Sequence, residues 1–376
     1  MWLSSIKLWT TLIIDTYLIN YTSMRYYKFT GEVAEPSSSL LLGNPSSNKK
    51  FRILSIDGGG IRGIIPARIL QGMEEQTGKH IFELFDVVIG TSTGSLLSLA
   101  LVTPNEQGGA KYKAGDVVGF YRQQGPKIFY SSWVHNLYTG WGLWRPRYNR
   151  KNLDAALAEL LGDVKLSQTL KPALSISYSL DKALPHVWAT QKVILGLQTD
   201  HYLKDIAGAT SAAPTYFAPK VMYDERGNIL HEVDGGIWAN NPEFIAIIVL
   251  DSMEKVPDKK DIIVVSIGTG VCKPNIELCV KEVSKLQTAG ILGWMLGVKP
   301  NLIEMMMSAD SEWSRTAMST LYPHSYRLQI PIPQSQSRMD DSRNIDKLGK
   351  LAEEYIIHNK ELFKNLCANL LLCGGC

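Results

Sequence analysis

The chain has 376 residues, of which 45% are apolar and 20% charged, a composition typical of globular proteins and not of disordered chains. Its net charge of +3 comes from 39 basic and 36 acidic residues, without a basic block of the kind that follows a phosphate backbone. Nucleic acid is therefore not an expected partner.

The two ends of the chain differ from its middle. Residues 1–21 are apolar and aromatic, but Asp15 interrupts the run and no small-residue cleavage site follows. We therefore expect a flexible leader over residues 1–50, with a secretory signal as the alternative. Three of the five cysteines fall in the last ten residues, which predicts a cysteine-rich tail over residues 367–376 and no disulfide framework. No apolar run reaches the roughly 18 residues of a membrane-spanning helix, so a cytoplasmic or peripheral membrane location is expected, or secretion.

The predicted elements begin at residue 51 and alternate between strand and helix. A buried strand (51–56), a glycine-rich loop, a helix (64–76), a second buried strand (85–89), a tight turn and a helix (95–102) follow one another. After a less regular stretch, the pattern predicts strands at 173–179, 186–190 and 262–267, and helices at 203–212, 241–253, 301–319 and 343–366. This order predicts one α/β domain over residues 51–366, with a central, mostly parallel sheet between helices.

Residues 90–94 (GTSTG) lie where the second buried strand meets a helix. A turn this sharp holds its central residue in a strained backbone conformation, and glycines on both sides let the strand and the helix approach each other. Ser92 is then exposed at the N-terminus of a helix, whose dipole favours the negative charge that develops during acyl transfer. The motif alone also occurs by chance in small-residue loops.

Residues 57–63 (DGGGIRG) also separate a strand from a helix. The amides of consecutive glycines can converge on an oxyanion because no side chains lie between them. The same glycines fit the dinucleotide pattern G-x-G-x-x-G, so a nucleotide-binding or nucleotide-regulated module that uses residues 58–63 is the alternative. No acidic residue stands out about 20 positions further on, and this alternative leaves Ser92 unexplained.

Asp234 precedes two glycines and follows the short apolar stretch 229–233. An Asp-Gly pair is usually only a turn. An acid beside glycines can, however, approach a serine hydroxyl closely, and partial desolvation raises the pKa of a carboxyl toward the range of a general base.

Four motifs in this order resemble the motif set of the patatin-like phospholipases. They are residues 57–63, 90–94, 209–214 (ATSAAP) and 234–236 (DGG), and the resemblance covers about residues 51–270. It implies a patatin-like variant of the α/β-hydrolase architecture. It also implies hydrolysis of acyl esters of phospholipids or galactolipids, without a metal or other cofactor.

The resemblance also implies roles for individual residues. Ser92 corresponds to the nucleophile and Asp234 to its base, in a dyad without histidine. The oxyanion site corresponds to the amides of Gly58, Gly59 and Gly60, with Arg62 holding their loop. The remaining motif glycines are Gly63, Gly90, Gly94, Gly235 and Gly236.

A triad that includes histidine is the mechanistic alternative, since most G-x-S-x-G hydrolases place a histidine after the acid. His324 and His358 follow Asp234 in the chain. His358 fits the solvated face of a charged helix, and His324 precedes a strand-like run, which makes it a weak candidate. His231 lies three positions before Asp234, and odd spacing in a strand directs it to the opposite face.

Two stretches have compositions suited to lipid contact, for which ordinary packing is the alternative. One is residues 290–297, apolar enough for a mobile cover over an acyl pocket. The other combines aromatic rings with guanidinium groups, as at a membrane interface: Trp133, Trp141, Trp144, Arg145, Arg147 and Arg150. The expected partners are a phospholipid or galactolipid substrate and, transiently, a membrane surface; the oligomeric state stays open.

Overall fold

The computed structural model describes residues 50–224, 226–251, 257–272, 290 and 302–372, all within the unit Asn44–Cys376. Residues 1–49 of the predicted leader, residues 291–297 of the predicted cover and the last four residues lie outside this description. The strands are β1 (Phe51–Ile56), β2 (Val87–Thr91), β3 (Ala173–Ser179), β4 (Leu184–Ala189), β5 (Lys220–Tyr223), β6 (Ile229–Asp234), β7 (Ile262–Ile267), β8 (Val271–Cys272), β9 (Ser325–Leu328) and β10 (Pro331–Ile332).

The helices alternate with these strands. They are α1 (Ile64–Thr77), α2 (Ile81–Leu84), α3 (Thr93–Leu101), α4 (Ala114–Ile128), α5 (Trp133–Thr139), α6 (Arg150–Leu161), α7 (Thr190–Ile194), α8 (Leu203–Thr210), α9 (Glu243–Asp251), α10 (Leu302–Leu321), α11 (Ile345–His358) and α12 (Lys360–Leu372). Within the described ranges, no helix is both long and apolar enough to cross a bilayer.

The main sheet has the strand order β5-β6-β3-β2-β1-β7-β9, with β4 also paired to β3. Strands β3, β2, β1, β7 and β9 run parallel, whereas β4 and β6 are antiparallel to β3. Helices cover the sheet, and β1, β2 and β7 are buried almost throughout, as their continuous apolar sequences require. The prediction of an α/β fold with a mostly parallel sheet is confirmed.

Two strands share one edge of β3. Its first half pairs with β2 and its second half with β6, because β4 occupies the opposite edge along most of its length. Thr91 lies opposite Ile176, and Asp234 lies opposite the next residue, Ser177. The carboxyl ends of β2 and β6 therefore meet head to head at the centre of the sheet.

Most predicted elements are present, with shifted ends. The strand predicted at 85–89 is β2, which begins two residues later because Asp86 accepts hydrogen bonds from the side chain and backbone N–H of Arg52. The helix predicted at 343–366 is two helices, α11 and α12. Because α12 continues to Leu372 and buries Cys367, residues 367–372 belong to the folded body and not to the predicted tail.

Candidate active site

Ser92 lies between β2 and α3 with φ 55° and ψ −125°, a conformation that L-residues rarely adopt. A Cβ atom on Gly90 would lie 2.4 Å from the carbonyl carbon of Gly94. A Cβ atom on Gly94 would lie 2.2 Å from the carbonyl oxygen of Ile56 in β1. Glycine is therefore required on both sides of Ser92 for the strand and the helix to pack this closely.

The side chain of Ser92 contacts Asp234 directly. Its Oγ donates a hydrogen bond to Asp234 Oδ2 at 2.6 Å, while Oδ1 accepts one from the N–H of Gly236 at 2.8 Å. Burial raises the pKa of Asp234 to about 6, against the opposing effect of these two hydrogen bonds. A carboxylate with this pKa is ionised at neutral pH and still basic enough to accept a proton from a hydroxyl.

Thr210, the last residue of α8, fixes the backbone of the turn. Its Oγ1 accepts a hydrogen bond from the N–H of Ser92 at 2.8 Å and donates one to the carbonyl of Ile176. The side chain is completely buried. The sequence identified Thr210 only as part of a motif, and gave no sign of this contact.

The glycine loop differs from its predicted arrangement at one position. The N–H of Gly58 donates to the carbonyl of Asn240 at 3.0 Å, so it is already satisfied within the protein. The N–H groups of Gly59 and Gly60 have no acceptor among the described residues, and both residues line the same cavity as Ser92. The amide of Gly58 is therefore not available to an oxyanion, whereas those of Gly59 and Gly60 remain predicted donors.

A buried ion pair anchors this loop. Arg327 of β9 donates to both carboxylate oxygens of Asp57, at 2.7 Å for Oδ1, and to Ser266 Oγ at 2.7 Å. Burial raises the pKa of Asp57, and the charge of Arg327 opposes this rise more strongly than that of Arg62. Thus Arg327, which lies 270 positions away in the chain, contacts the first residue of this loop, and no local sequence pattern predicted that contact.

The histidines of the predicted alternative have other contacts. His324 lies within hydrogen-bond distance of Lys50 (2.9 Å). These two residues directly precede β9 and β1, whereas Ser92 directly follows β2, which runs parallel to both strands. His324 and Ser92 therefore lie at opposite ends of these strands. His358 contacts the carbonyl of Glu354, and His231 contacts Asp181. All seven histidines lie in the described part of the chain, and none hydrogen-bonds to Ser92 or Asp234.

A family model described as "Patatin-like phospholipase" matches residues 54–247, which include all four motifs and both members of the Ser92–Asp234 pair. The chain belongs to the patatin-like phospholipase family. Patatin-like protein 4 of Arabidopsis thaliana is 36% identical over 251 residues, which is 61% of this chain and 62% of that relative. This patatin-like chain thus spans less than two thirds of the length of that relative.

Two further relatives match over more of their length. Patatin-like protein 2 of Arabidopsis thaliana is 32% identical over 364 residues, covering 88% of this chain and 87% of the relative. The protein named "Probable inactive patatin-3-Kuras 1" of Solanum tuberosum is 33% identical over 292 residues, covering 72% of this chain and 74% of the relative. Because one family member carries this name, membership alone does not establish that a patatin-like chain is active.

In this patatin-like chain, a mostly apolar cavity opens beside Ser92. Its wall includes side chains of α4, α6 and α10 and the residues after α8, among them Phe120, Tyr121, Ile128, Phe129, Leu153, Tyr216, Phe217 and Met307. No described residue of the lining carries a basic side chain. The sequence did not predict this wall, because α4 and α6 lie in the stretch whose pattern is least regular.

Proposed function

We propose that this protein is a serine-dependent lipid acyl hydrolase, in which Ser92 is the nucleophile and Asp234 the general base. The observation that carries the proposal is the 2.6 Å hydrogen bond from the hydroxyl of Ser92 to a desolvated carboxylate, in a strained turn that faces an apolar cavity. Membership of the patatin-like phospholipase family supports the same reaction.

The first half-reaction acylates Ser92. Its Oγ attacks the acyl carbon of the ester while its proton moves to Asp234, and the carbonyl oxygen gains the negative charge. The N–H groups of Gly59 and Gly60 are the donors available to that oxyanion. When the tetrahedral intermediate collapses, the bond from the acyl carbon to the alcohol oxygen breaks, and Asp234 returns the proton to that oxygen.

The second half-reaction releases the fatty acid. A water molecule gives a proton to Asp234 and attacks the acyl carbon, and the bond to Ser92 Oγ then breaks. The proton passes from Asp234 back to Oγ. The dyad is thereby restored to its starting state without a histidine.

The cavity supports a substrate with a long apolar acyl group. Aromatic and aliphatic side chains such as Phe120, Ile128 and Phe217 offer an apolar surface to that acyl group. A phospholipid or a galactolipid meets this requirement, and its headgroup would lie outside the cavity, because the described lining offers no cation to a phosphate. For the same reason the cavity does not favour the alternative of a nucleotide bound at residues 58–63.

Release of fatty acid from mixed vesicles of phospholipid and galactolipid tests the proposal. We expect release by the wild-type protein in the presence of a chelator, and a loss of about a thousandfold or more in Ser92→Ala and Asp234→Asn. Ser98→Ala is the matched control, since Ser98 is a buried serine in α3 whose Oγ donates only to the carbonyl of Ser95.

The expected control result is full activity in Ser98→Ala. A fluorophosphonate should label wild type and Ser98→Ala on Ser92, and should not label Ser92→Ala. Equal release by the wild type and both dyad variants would refute the proposal, as would labelling of a different serine.

A further inference from the structure

Residues 130–145 expose an unusual amount of apolar and aromatic surface. This aromatic segment contains α5 and the loop that follows it. Eight of its large side chains are between 46% and 77% exposed: Tyr130, Trp133, Val134, Leu137, Tyr138, Trp141, Leu143 and Trp144. Contiguous apolar surface of this kind on a globular protein marks a contact with a partner or a membrane.

The backbone directly after α5 has an unfavourable conformation. Gly140, Trp141 and Gly142 have φ values of 59°, 55° and 90°, three consecutive residues in the left-handed region. Trp141 is not a glycine, so its Cβ makes this conformation unfavourable. Strained positions of this type persist where the surrounding structure imposes them, and they cluster at functional sites.

Both ends of the aromatic segment are fixed to the wall of the cavity beside Ser92. On one side, Phe129 lines the cavity and packs edge-on against Tyr148, with ring centroids 5.4 Å apart. On the other side, the N–H groups of Arg147 and Tyr148 donate to the carbonyls of Thr215 and Tyr216, both at 2.9 Å. The segment therefore leaves and rejoins the protein at the cavity.

The sequence on both sides of the segment carries only positive charge. Between Asp116 and Asp154 the sequence has six Lys and Arg residues and no Asp or Glu. Three of them are exposed without an acidic partner among the described residues, and one, Arg145, lies over the Tyr138 ring at 4.4 Å. The three are Lys127, Arg145 and Lys151.

Two of the arginines predicted to meet lipid have other contacts. Arg147 pairs with Asp340 at 3.1 Å. Arg150 pairs with Asp154 at 3.3 Å and donates to the carbonyls of Gly208 and Ala218. These two guanidinium groups stabilise the base of the segment, and the cations available to a partner are those of Lys127, Arg145 and Lys151.

We propose that the aromatic segment is the surface by which this protein docks on a bilayer containing anionic lipid. Indole and phenol rings prefer the depth of the headgroups, and flanking cations attract anionic phosphates. Docking there would bring the cavity next to the lipid. The role of docking in catalysis rests on the proposed hydrolase function, but the docking itself does not.

Vesicle binding can be measured apart from hydrolysis in a Ser92→Ala background. In this background, we expect the protein to float with vesicles of phosphatidylcholine and phosphatidylglycerol. The additional triple variant W133A/W141A/W144A should lose about tenfold or more in partitioning, because the apolar area available for insertion is removed. Trp313→Ala is the matched control, since Trp313 on α10 is 60% exposed, the same fraction as Trp141. It should partition like the Ser92→Ala parent.

The cations are tested by Lys127→Gln, Arg145→Gln and Lys151→Gln. Each should weaken binding to the anionic vesicles by about fivefold at low salt, with little effect on binding to phosphatidylcholine alone. Added salt should reduce this difference, because exposed charges are screened.

Equal partitioning by the Ser92→Ala parent and the triple variant would overturn the proposal. So would a dimer that the triple variant converts to a monomer in the absence of vesicle binding, since the aromatic segment would then bind a second copy of the chain. Unfolding midpoints confirm that each variant is folded, and the single variants Trp133→Ala and Trp144→Ala, at 71% and 77% exposure, replace the triple variant if it does not fold. Because every protein compared carries Ser92→Ala, failure of the hydrolase proposal would leave this result unaffected.

Discussion

The hydroxyl of Thr210 accepts a hydrogen bond from the N–H of Ser92 at 2.8 Å and donates one to the carbonyl of Ile176. It thereby links the strained turn to β3, the strand that also pairs with Asp234. Thr210→Val keeps the shape of the side chain but leaves the Ser92 N–H buried without an acceptor. We expect kcat to fall by about 10- to 100-fold, because the orientation of Ser92 is lost.

Thr210→Ser provides the control for this prediction. It keeps the hydroxyl, so it should retain most of the wild-type kcat, measured on a soluble short-chain ester. If the variants Thr210→Val and Thr210→Ser have equal kcat, the hydrogen bond to Ser92 has no role in orienting the nucleophile.

The pH dependence of kcat/KM should follow the ionisation of Asp234. Because its folded-state pKa is about 6, the carboxylate is ionised above this value and protonated below it. A general base must be ionised, so we expect kcat/KM to be constant from about pH 7 upward and to fall about tenfold per pH unit below about pH 6. Initial rates of acid release from a neutral ester check this profile.

A second buried carboxyl could produce a similar profile. Burial also raises the pKa of Asp310 to about 6, and Asp310 accepts a hydrogen bond from the N–H of Asn241. If Asp234 is the base, the midpoint of the kcat/KM profile should stay near pH 6 in Asp310→Asn. A midpoint that moves in this variant would assign the titration to Asp310 instead.

Removing Arg327 should destabilise the fold. Arg327→Met leaves the carboxylate of Asp57 buried without its cation, which typically costs about 3–5 kcal/mol in the free energy of unfolding at pH 7. The double variant Arg327→Met/Asp57→Asn should recover part of this loss, because it removes the uncompensated charge. Urea denaturation at pH 7 measures both.

The control for this ion pair is an exposed one. Arg343 is 87% exposed and pairs with Asp341, so Arg343→Met should leave the urea midpoint essentially unchanged. Similar losses in Arg327→Met and Arg343→Met would show that burial does not determine the strength of the Asp57 pair.

The two glycines Gly94 and Gly119 should respond oppositely to alanine. In Gly94→Ala, the new Cβ would lie 2.2 Å from the carbonyl oxygen of Ile56, so β1 and α3 must separate. We expect the free energy of unfolding to fall by about 3 kcal/mol. Gly119 lies inside α4 with no atom within 4 Å of an added Cβ, so Gly119→Ala should gain about 0.5–1 kcal/mol from helix propensity. Thermal unfolding of both variants checks the sign, and a stabilised Gly94→Ala would contradict the close packing of β1 on α3.

The sequence by itself determined the elements whose signals are local. Strands β1, β3 and β7 have the predicted bounds, because short apolar runs limited by polar residues or glycine encode a buried strand. The Gly90 and Gly94 spacing likewise predicted a sharp turn at Ser92, since a strand and a helix joined so tightly need glycine on both sides.

Only the tertiary structure decided which distant groups meet at that turn. β2 and β6 end against consecutive residues of β3, and this head-to-head arrangement brings Asp234 to Ser92. Strand pairing also brings Arg327 to Asp57, and helix packing brings Thr210 to the Ser92 amide. These contacts depend on sheet order and on the packing of α8 against the sheet, and no local pattern of residues encodes either, because both arise from the burial of the whole core.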